Sequence, residues 1–439
     1  GQVVGPLHGV PVSIKDHISI KGEDTATGFV SWAGKTIAEN DATIVQVLRQ
    51  AGAVIYVKTT NPQSLFAFET FSNIYGYTSN PHNRTLTSGG SSGGEGTLIA
   101  SRASLLGVGT DIGGSIRCVE IHLIPFKYIF TFMLPASGVL TPYKGMENIV
   151  GVIGPMAHSA RDLELFCRVV SGYEPWNIDS STLSIPWNST TAERGESDKL
   201  VIGFFTNDEV VTPHPPIIER LHKTREALVA AGHEVIDWVP MDHMKAFELA
   251  ARLYLLDGGE AIRGILGESG EPAIPHVAQL LLSDPRKADE FTLAKSWDAN
   301  AQRDQFRARA LKHWNDTALR SKSGRPVDVV LCPAAPTLAP PQGTTRWIGY
   351  TSYWNLLDLP AVVFPSGKPF DSSAWEPAND SSRVEPRNPF DEFVGAQWDP
   401  KTFDNAPVGI QLVGRRWQEE KLMAALKHVE DAVSRFEKS

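Results

Sequence analysis

The most informative stretch of the sequence is the nonapeptide Gly-Thr-Asp-Ile-Gly-Gly-Ser-Ile-Arg at residues 109–117. A second glycine cluster, Gly-Gly-Ser-Ser-Gly-Gly, lies upstream at residues 89–94, and the two clusters contain Ser91 and Ser115. Glycine lets a backbone turn sharply and approach a ligand closely. Serines held in two such loops indicate a site where hydroxyls meet backbone N–H groups, an arrangement that suits acyl transfer.

Lys15 is the best candidate for the base that such a serine needs. It follows alternating apolar residues in the segment Gly-Val-Pro-Val-Ser-Ile-Lys-Asp at 9–16, so a strand here would carry its side chain into the interior. Burial disfavours the ammonium form and lowers a lysine pKa by up to ~5 units, which would leave a neutral amine able to accept a proton. The nearest histidines have no triad-like context: His8, His17 and His82.

The second glycine cluster also provides candidate donors for an oxyanion. Ile112, Gly113, Gly114 and Ser115 present four consecutive backbone N–H groups with little side-chain obstruction. Removing one donor from a known oxyanion hole costs about 2.7–4 kcal/mol of transition-state stabilisation. We therefore expect the loop at 112–115 to be the oxyanion hole.

Other site chemistries fit the sequence less well. Residues 89–93 match the Gly-x-Ser-x-Gly elbow of α/β-hydrolases, but the preceding segment 81–88 is polar and turn-like where that motif needs a strand. No Gly-Lys-Ser/Thr follows the glycines, which argues against a phosphate-binding loop. The remaining histidines show no metal-ligand spacing, so we expect neither a metal nor a cofactor.

Charge and composition argue against two classes of partner. The 439 residues carry a formal net charge of −9 without a basic stripe, so we do not expect nucleic-acid binding. The longest apolar stretch, 121–134, is too short to span a bilayer and includes a lysine and a proline. The three cysteines are widely spaced, which is typical of an intracellular protein with reduced thiols, and we predict a cytoplasmic location.

Helical and strand patterns alternate along the chain, which predicts an α/β fold. We expect one domain over 1–439, with a helical insertion at 241–320 and a surface loop at 370–404. The strand at 53–57 reads as buried on both faces because it is a continuous apolar run. The predicted strands are 53–57, 105–109, 200–205, 233–238, 327–331 and 408–413, and the predicted helices outside the insertion are 41–51, 97–103, 216–231 and 419–436.

The two glycine clusters and the lysine segment together resemble the amidase signature family. Their serines are 24 positions apart (115 − 91), which is also the spacing in that family. The resemblance continues through 154–156, 161–164, 349–352 and 407–414, so that it covers nearly the whole chain. The middle and C-terminal segments look most like the branch of fungal acetamidases and general amidases.

The resemblance implies a large mixed central sheet covered by helices on both sides, and a role for each motif residue. Ser115 would be the acylated nucleophile, Ser91 a bridging serine after a cis peptide bond, and Lys15 the base. The amides of residues 112–115 would form the oxyanion hole. The supporting residues around the loops would be Thr110, Asp111, Arg117 and Ser92.

The activity implied by the resemblance is hydrolysis of a small, uncharged carboxylic amide to the carboxylate and ammonia, through an acyl-enzyme and without a cofactor. Two alternatives share the same motifs: a transamidation subunit that passes ammonia to a partner enzyme, and a catalytically inert scaffold. The resemblance also leaves a homodimer open. Candidates for an acyl pocket are Leu253, Tyr254, Trp347, Tyr350, Tyr353 and Trp354.

The sequence departs from the family pattern in two places. The segment 118–133 is about five residues longer than expected by our alignment and lacks the glycines that would let a helix pack behind the nucleophile. We expect its bulky residues to overpack there. Family members also have a helical stretch before the lysine segment, so we expect the sequence given to be a fragment or a processed chain.

Overall fold

Strands and helices alternate along most of the chain in the computed structural model, which describes residues 1–123, 126–129, 134–188, 199–283, 292–376 and 385–438. The strands are β1 Pro11–Lys15, β2 Val54–Thr59, β3 Phe71–Ser72, β4 Gly76–Tyr77, β5 Leu106–Asp111, β6 Phe126–Ile129, β7 Val152–Ala157, β8 Val201–Phe204, β9 Glu234–Asp237, β10 Val329–Pro333, β11 Ala361–Pro365 and β12 Gly409–Val413. The helices are α1 Thr43–Gln50, α2 Gly93–Ala100, α3 Arg117–Leu123, α4 Ala160–Gly172, α5 Pro215–Ala230, α6 His243–Tyr254, α7 Glu260–Ser269, α8 Pro275–Ser283, α9 Leu293–Asp316, α10 Gly349–Leu357, α11 Pro389–Ala396 and α12 Glu419–Phe436. Short 3₁₀ turns occupy Pro175–Asn177 and Thr317–Leu319.

Ten of the described strands form one mixed sheet in the order β2-β1-β5-β7-β6-β11-β12-β10-β8-β9. Pairing is parallel at both ends, in β2-β1-β5 and in β10-β8-β9, and antiparallel between them. The first five strands in this order come from the first 157 residues and the other five from residues after 200. The large mixed sheet expected from the sequence is therefore confirmed, and its two halves meet where β6 pairs with β11.

Helices cover both faces of the sheet, because alternate residues of a strand point in opposite directions. On β10, Val329 and Leu331 pack into one buried cluster with helices α1, α4, α5 and α12, whereas Val330 and Cys332 pack into another with α6, α9 and α10. Helices α2 and α3 form a smaller cluster on the second side. The strand-helix-strand unit predicted at 200–238 is β8-α5-β9, with parallel pairing.

Two sequence expectations about individual segments were wrong. The strand at 53–57 is not buried on both faces: β2 lies at the edge of the sheet, and Val54 and Tyr56 are 51% and 45% exposed. The segment 370–404 is not simply a surface loop, because it contains α11 with the buried Val394. Asn388 starts that helix by accepting hydrogen bonds from two N–H groups of its first turn, and Pro389 fits the first helical position.

The predicted helical region 241–320 contains the whole of α6, α7, α8 and α9. The anomalous segment 118–133 lies partly outside the described residues. In its described part, Val119 and Leu123 of α3 pack against Ile99, Val152 and Met156 in one buried cluster. Among the described helices, none combines the length and apolar composition needed to cross a bilayer.

Candidate active site

Lys15 is the last residue of β1 and its side chain is fully buried. The strand lies between β2 and β5, which brings the end of β1 beside the loop that follows β5. Lys15 Nζ lies 2.7 Å from Ser91 Oγ and 2.9 Å from Thr110 Oγ1. The structure therefore brings together three of the residues that the sequence analysis singled out.

The environment of Lys15 shifts its protonation in the expected direction. Burial lowers the pKa of the amine to about 7, because desolvation outweighs the opposing effect of the carboxylates of Asp111, Glu95 and Asp16. A substantial fraction of the amine is consequently uncharged at neutral pH. An uncharged amine at this position can accept a proton from Ser91.

His17 also contacts this group, although the sequence analysis set it aside. Its Nε2 lies 2.7 Å from Thr110 Oγ1 and its Nδ1 lies 3.2 Å from the carbonyl oxygen of Leu140. Burial, reinforced by the nearby charge of Lys15, holds the pKa of His17 well below its usual value. The ring is therefore uncharged at neutral pH.

Ser91 and Ser92 occupy the turn that leads into α2. The Gly90–Ser91 peptide bond is cis, and both serines are buried. A Cβ atom at Gly90 would lie 2.7–2.9 Å from the backbone of Glu69, so only glycine allows this turn to pack against residue 69. Three hydrogen bonds join Ser92 to the second glycine loop. Its N–H donates to the Ser115 carbonyl at 3.0 Å, its hydroxyl donates to the Thr110 carbonyl at 3.2 Å, and the same hydroxyl accepts the Thr110 N–H at 3.4 Å.

Ser115 lies at the end of the second glycine loop and is partly exposed to a cavity. Among the described residues, none forms a hydrogen bond with its hydroxyl. The loop places Ser115 next to the Ser91–Ser92 turn through the backbone hydrogen bond from Ser92, but it does not join the two serine hydroxyls directly.

Three of the four backbone donors expected around Ser115 are free to bind an oxyanion. The N–H groups of Ile112, Gly113 and Ser115 donate to no other described residue. The expectation for Gly114 was wrong, because its N–H turns back and donates to Asp111 Oδ1 at 2.8 Å. Gly114 has φ +126°, and a Cβ there would collide with Thr351 Oγ1, so this sharp turn requires glycine.

Two side chains outside the motif fix the carbonyl groups of this loop. The Tyr254 hydroxyl at the end of α6 donates to the Ile112 carbonyl at 2.6 Å, and Thr351 Oγ1 on α10 donates to the Gly113 carbonyl at 2.8 Å. The Ile112 carbonyl shares a peptide plane with the Gly113 N–H. Tyr254 therefore orients one of the open oxyanion donors.

Asp111 is the centre of a buried polar network behind the loop. Its carboxylate accepts the N–H groups of Gly114 and Ile116 and pairs with Arg117 at 3.2 Å. Asn355 donates to it at 2.8 Å, and Arg117 reaches Gln411 on β12 at 3.3 Å. Burial alone would raise the pKa of Asp111, but the charge of Arg117 and these hydrogen bonds lower it below its usual range.

An apolar cavity of about 590 Å³ opens in front of Ser115 and the loop. A few charged or ionisable groups line it as well, Glu248, Arg252, His276 and Arg346. The apolar and aromatic side chains of the wall include Leu65, Phe66, Phe68, Phe247, Tyr254, Leu255, Ile348 and Phe390. The cavity can hold an uncharged group considerably larger than a methyl.

The expected acyl-pocket residues were mostly wrong. Only Tyr254 lines the cavity, whereas the other five are packed in the core beneath it: Leu253, Trp347, Tyr350, Tyr353 and Trp354. Position along the chain gave no means of telling a wall residue from a core residue. In the part of the chain that the structure describes, no group of three His, Cys, Asp or Glu side chains is arranged to hold a metal ion.

Comparison with known proteins gives consistent matches over most of the chain. A family model described as Amidase matches residues 1–423. The acetamidase of Emericella nidulans is 37% identical over 437 residues, covering 97% of this chain and 77% of that protein, and the acetamidase of Aspergillus oryzae is 38% identical over 441 residues with the same two coverages. Among solved structures, a fatty acid amide hydrolase matches with a TM-score of 0.88 at 31% identity, over 98% of this chain and 74% of that chain.

Proposed function

Because the chain belongs to the amidase family and is a hydrolase of that family acting on amides, we propose that it converts a carboxylic amide to the carboxylate and ammonia through an acyl-enzyme on Ser115. The observation that carries this proposal is the contact of 2.7 Å between Lys15 Nζ and Ser91 Oγ. It couples a buried amine, whose pKa is lowered to about 7, to a hydroxyl in the turn that binds the Ser115 loop.

In the proposed first step, Ser115 Oγ attacks the amide carbonyl carbon. The Ser115 proton passes to Ser91 Oγ while Ser91 transfers its own proton to Lys15 Nζ. The N–H groups of Ile112, Gly113 and Ser115 stabilise the oxyanion that forms. This transfer requires the Ser115 and Ser91 hydroxyls to meet during the reaction, and catalytic hydrogen bonds often tighten only when substrate is bound.

In the second step, the carbon–nitrogen bond breaks. Lys15 returns the proton through Ser91 to the leaving nitrogen, and ammonia departs. A water molecule, deprotonated by Lys15 through Ser91, then attacks the Ser115 ester. As the ester bond breaks, the proton returns from Lys15 through Ser91 to Ser115 Oγ, and the acid leaves and ionises to the carboxylate. The cycle restores all three side chains and uses no other reactant than water.

The cavity extends the range of proposed substrates beyond the small amides expected from the sequence. Acetamide would leave most of about 590 Å³ empty. Each buried methylene contributes about 0.8 kcal/mol, or roughly fourfold in kcat/KM if it is bound in the transition state. We therefore propose uncharged amides with a medium-length alkyl or an arylalkyl acyl group as better substrates than acetamide.

The test is ammonia release from acetamide, butanamide, hexanamide and phenylacetamide by the wild type and by Ser115→Ala. The variant should lose activity by about 10⁴-fold or more, as nucleophile removal does in other serine hydrolases. Ser434→Ala, at an exposed position on α12, serves as the matched control and should retain full activity. Substantial turnover by Ser115→Ala would refute the assignment of the nucleophile.

A further inference from the structure

We propose that His17 is a positioning residue that keeps the nitrogen lone pair of Lys15 directed at Ser91. The inference rests on the proposed function, because it assigns how the base of that reaction is oriented. It is carried by the chain of contacts from Leu140 through His17 and Thr110 to Lys15.

The first contact fixes the tautomer of His17. The Leu140 carbonyl oxygen can only accept a hydrogen bond, so the proton of the neutral ring must be on Nδ1, 3.2 Å away. The Leu140 N–H donates in return to the His17 carbonyl at 2.8 Å, which holds the two residues together. Nε2 of His17 is therefore an acceptor.

The second contact fixes the direction of the Thr110 hydroxyl. Thr110 Oγ1 lies 2.7 Å from Nε2 of His17, and its one proton must be donated there. Its oxygen then has only lone pairs to offer Lys15 Nζ, 2.9 Å away. One N–H of the neutral amine is thus used to donate to Thr110.

This polarity leaves the lone pair of Lys15 for Ser91. Ser91 Oγ is 2.7 Å from Nζ and has the proton that the base must remove. If residue 17 offered no acceptor, the Thr110 hydroxyl would be free to donate to the same lone pair and would compete with Ser91. The role of His17 is therefore to exclude that competing hydrogen bond.

The ring is well suited to this role because it stays uncharged. Burial disfavours protonation of His17, and the positive charge of Lys15, whenever that amine holds its proton, and of Lys58 adds to this effect. The protonated ring would donate from Nε2 and reverse the polarity of the whole chain of hydrogen bonds.

Two substitutions separate positioning from folding. His17→Asn keeps a side-chain donor for the Leu140 carbonyl but is too short to offer an acceptor to Thr110. The longer side chain of His17→Gln places an amide oxygen where Nε2 of His17 lies, so it can accept the Thr110 proton. With phenylacetamide, we expect His17→Asn to lower kcat by at least about tenfold, within the roughly 10²–10⁴-fold that a general base contributes, with KM changed by less than about threefold. His17→Gln should restore most of the lost kcat.

A double variant provides a second, independent readout. Thr110→Val alone removes a partner of Lys15 and should lower kcat. In the His17→Asn background the same change removes the competing donor, so the double variant should be at least as active as His17→Asn alone. A purely structural role would instead make the two losses combine.

The proposal is overturned if His17→Asn keeps wild-type kcat, if His17→Gln is as impaired as His17→Asn while both melt near the wild-type temperature, or if the losses in the double variant multiply. If the His17→Asn protein does not fold, His17→Gln is compared with wild type instead. Thr110→Val is then added to His17→Gln, where it must lower kcat as it does in wild type. Absence of amide hydrolysis by the wild type would refute the proposed function itself, and is thereby distinguished from failure of the His17 assignment.

Discussion

Lys15 Nζ lies 2.7 Å from Ser91 Oγ, although 76 residues separate them along the chain. The end of β1 supplies the amine and the turn before α2 supplies the hydroxyl. Both are held against β5, whose last residues start the Ser115 loop. The geometry that would make Lys15 a base is thus set by the parallel pairing of β1 with β5.

The lowered pKa of Lys15 predicts the pH dependence of the reaction. The base must be uncharged to act, and its pKa is about 7. The value of kcat/KM should therefore decrease as the pH is lowered through 7, which gives the pH profile an acidic limb. Lys15→Met should lose about 10²–10⁴-fold above pH 7 and abolish that limb, so that the difference from wild type shrinks as the pH is lowered. Lys144→Met, a change at an exposed lysine, should keep the full profile. An acidic limb that persists in Lys15→Met would contradict the assignment.

Tyr254 should contribute to turnover through the oxyanion loop. Tyr254→Phe deletes the hydrogen bond of 2.6 Å to the Ile112 carbonyl, which orients the Gly113 N–H. A hydrogen bond contributes about 0.5–1.5 kcal/mol, so kcat should fall by roughly two- to tenfold with a smaller change in KM. Tyr56→Phe deletes a tyrosine–carbonyl hydrogen bond of the same length far from the site and should leave kinetics unchanged. Equal effects of the two variants would argue against this role.

The Asp111–Arg117 pair should be important for stability. Both side chains are buried, so Arg117→Met leaves an uncompensated carboxylate and should lower the free energy of unfolding in urea by about 3–5 kcal/mol. The exposed pair Lys312–Asp316 offers the control, and Lys312→Ala should change stability by less than about 1 kcal/mol. If Arg117→Met lowered the free energy of unfolding by less than about 1 kcal/mol, the buried network would not depend on the ion pair.

His243 should make the protein sensitive to acid. Its ring is buried and stacked on Tyr353, neither ring nitrogen has a hydrogen-bond partner among the described residues, and burial lowers its pKa to about 3. Between pH 6.5 and 3 the unfolded chain binds the proton that the folded chain excludes, so stability falls as the pH is lowered. Relative to neutral pH, this one group costs about 2 kcal/mol at pH 5.

His243→Phe should remove that part of the acid sensitivity while keeping the stacking on Tyr353. The check is urea unfolding at pH 7.5 and pH 5 for wild type, His243→Phe and His8→Phe, the last at an exposed position. The stability lost between the two pH values should shrink by about 2 kcal/mol in His243→Phe only. An unchanged loss would mean that His243 is already satisfied by a partner such as water.

Local patterns were sufficient to predict most of the fold. Alternation of apolar runs with amphipathic stretches gave β8, α5, β9 and α12 nearly to the residue. The edge position of β2 was missed, because an apolar run does not reveal how many neighbours its strand will have. The helix α11 was missed because the proline-rich composition of 370–404 obscured the Asn388-Pro389 start signal.

At the site, the motif residues could be predicted but their long-range partners could not. Lys15 lies beside Ser91 as the predicted triad requires, whereas its contact with Thr110 was not predicted. Tyr254, Asn355 and Gln411 come from segments more than 130 residues away and are brought to the loop by the packing of α6, α10 and β12. The direction of the Gly114 N–H depends on a φ of +126°, which the sequence Gly-Gly permits but does not specify. His17 could have been found from its position two residues after Lys15, in the turn that follows the same strand.

The buried polar network around Asp111 has a consequence for synthesis of the protein. Asp111 and Arg117 belong to the first half of the sheet, and Asn355 and Gln411 belong to the second. A nascent chain that has emerged only through α3 lacks two of the four members, so we expect the Ser115 loop to reach the shape described above only after β12 has been translated. Gln411 is the last of these four residues to be synthesised, so the network around the loop can first be completed once it is available.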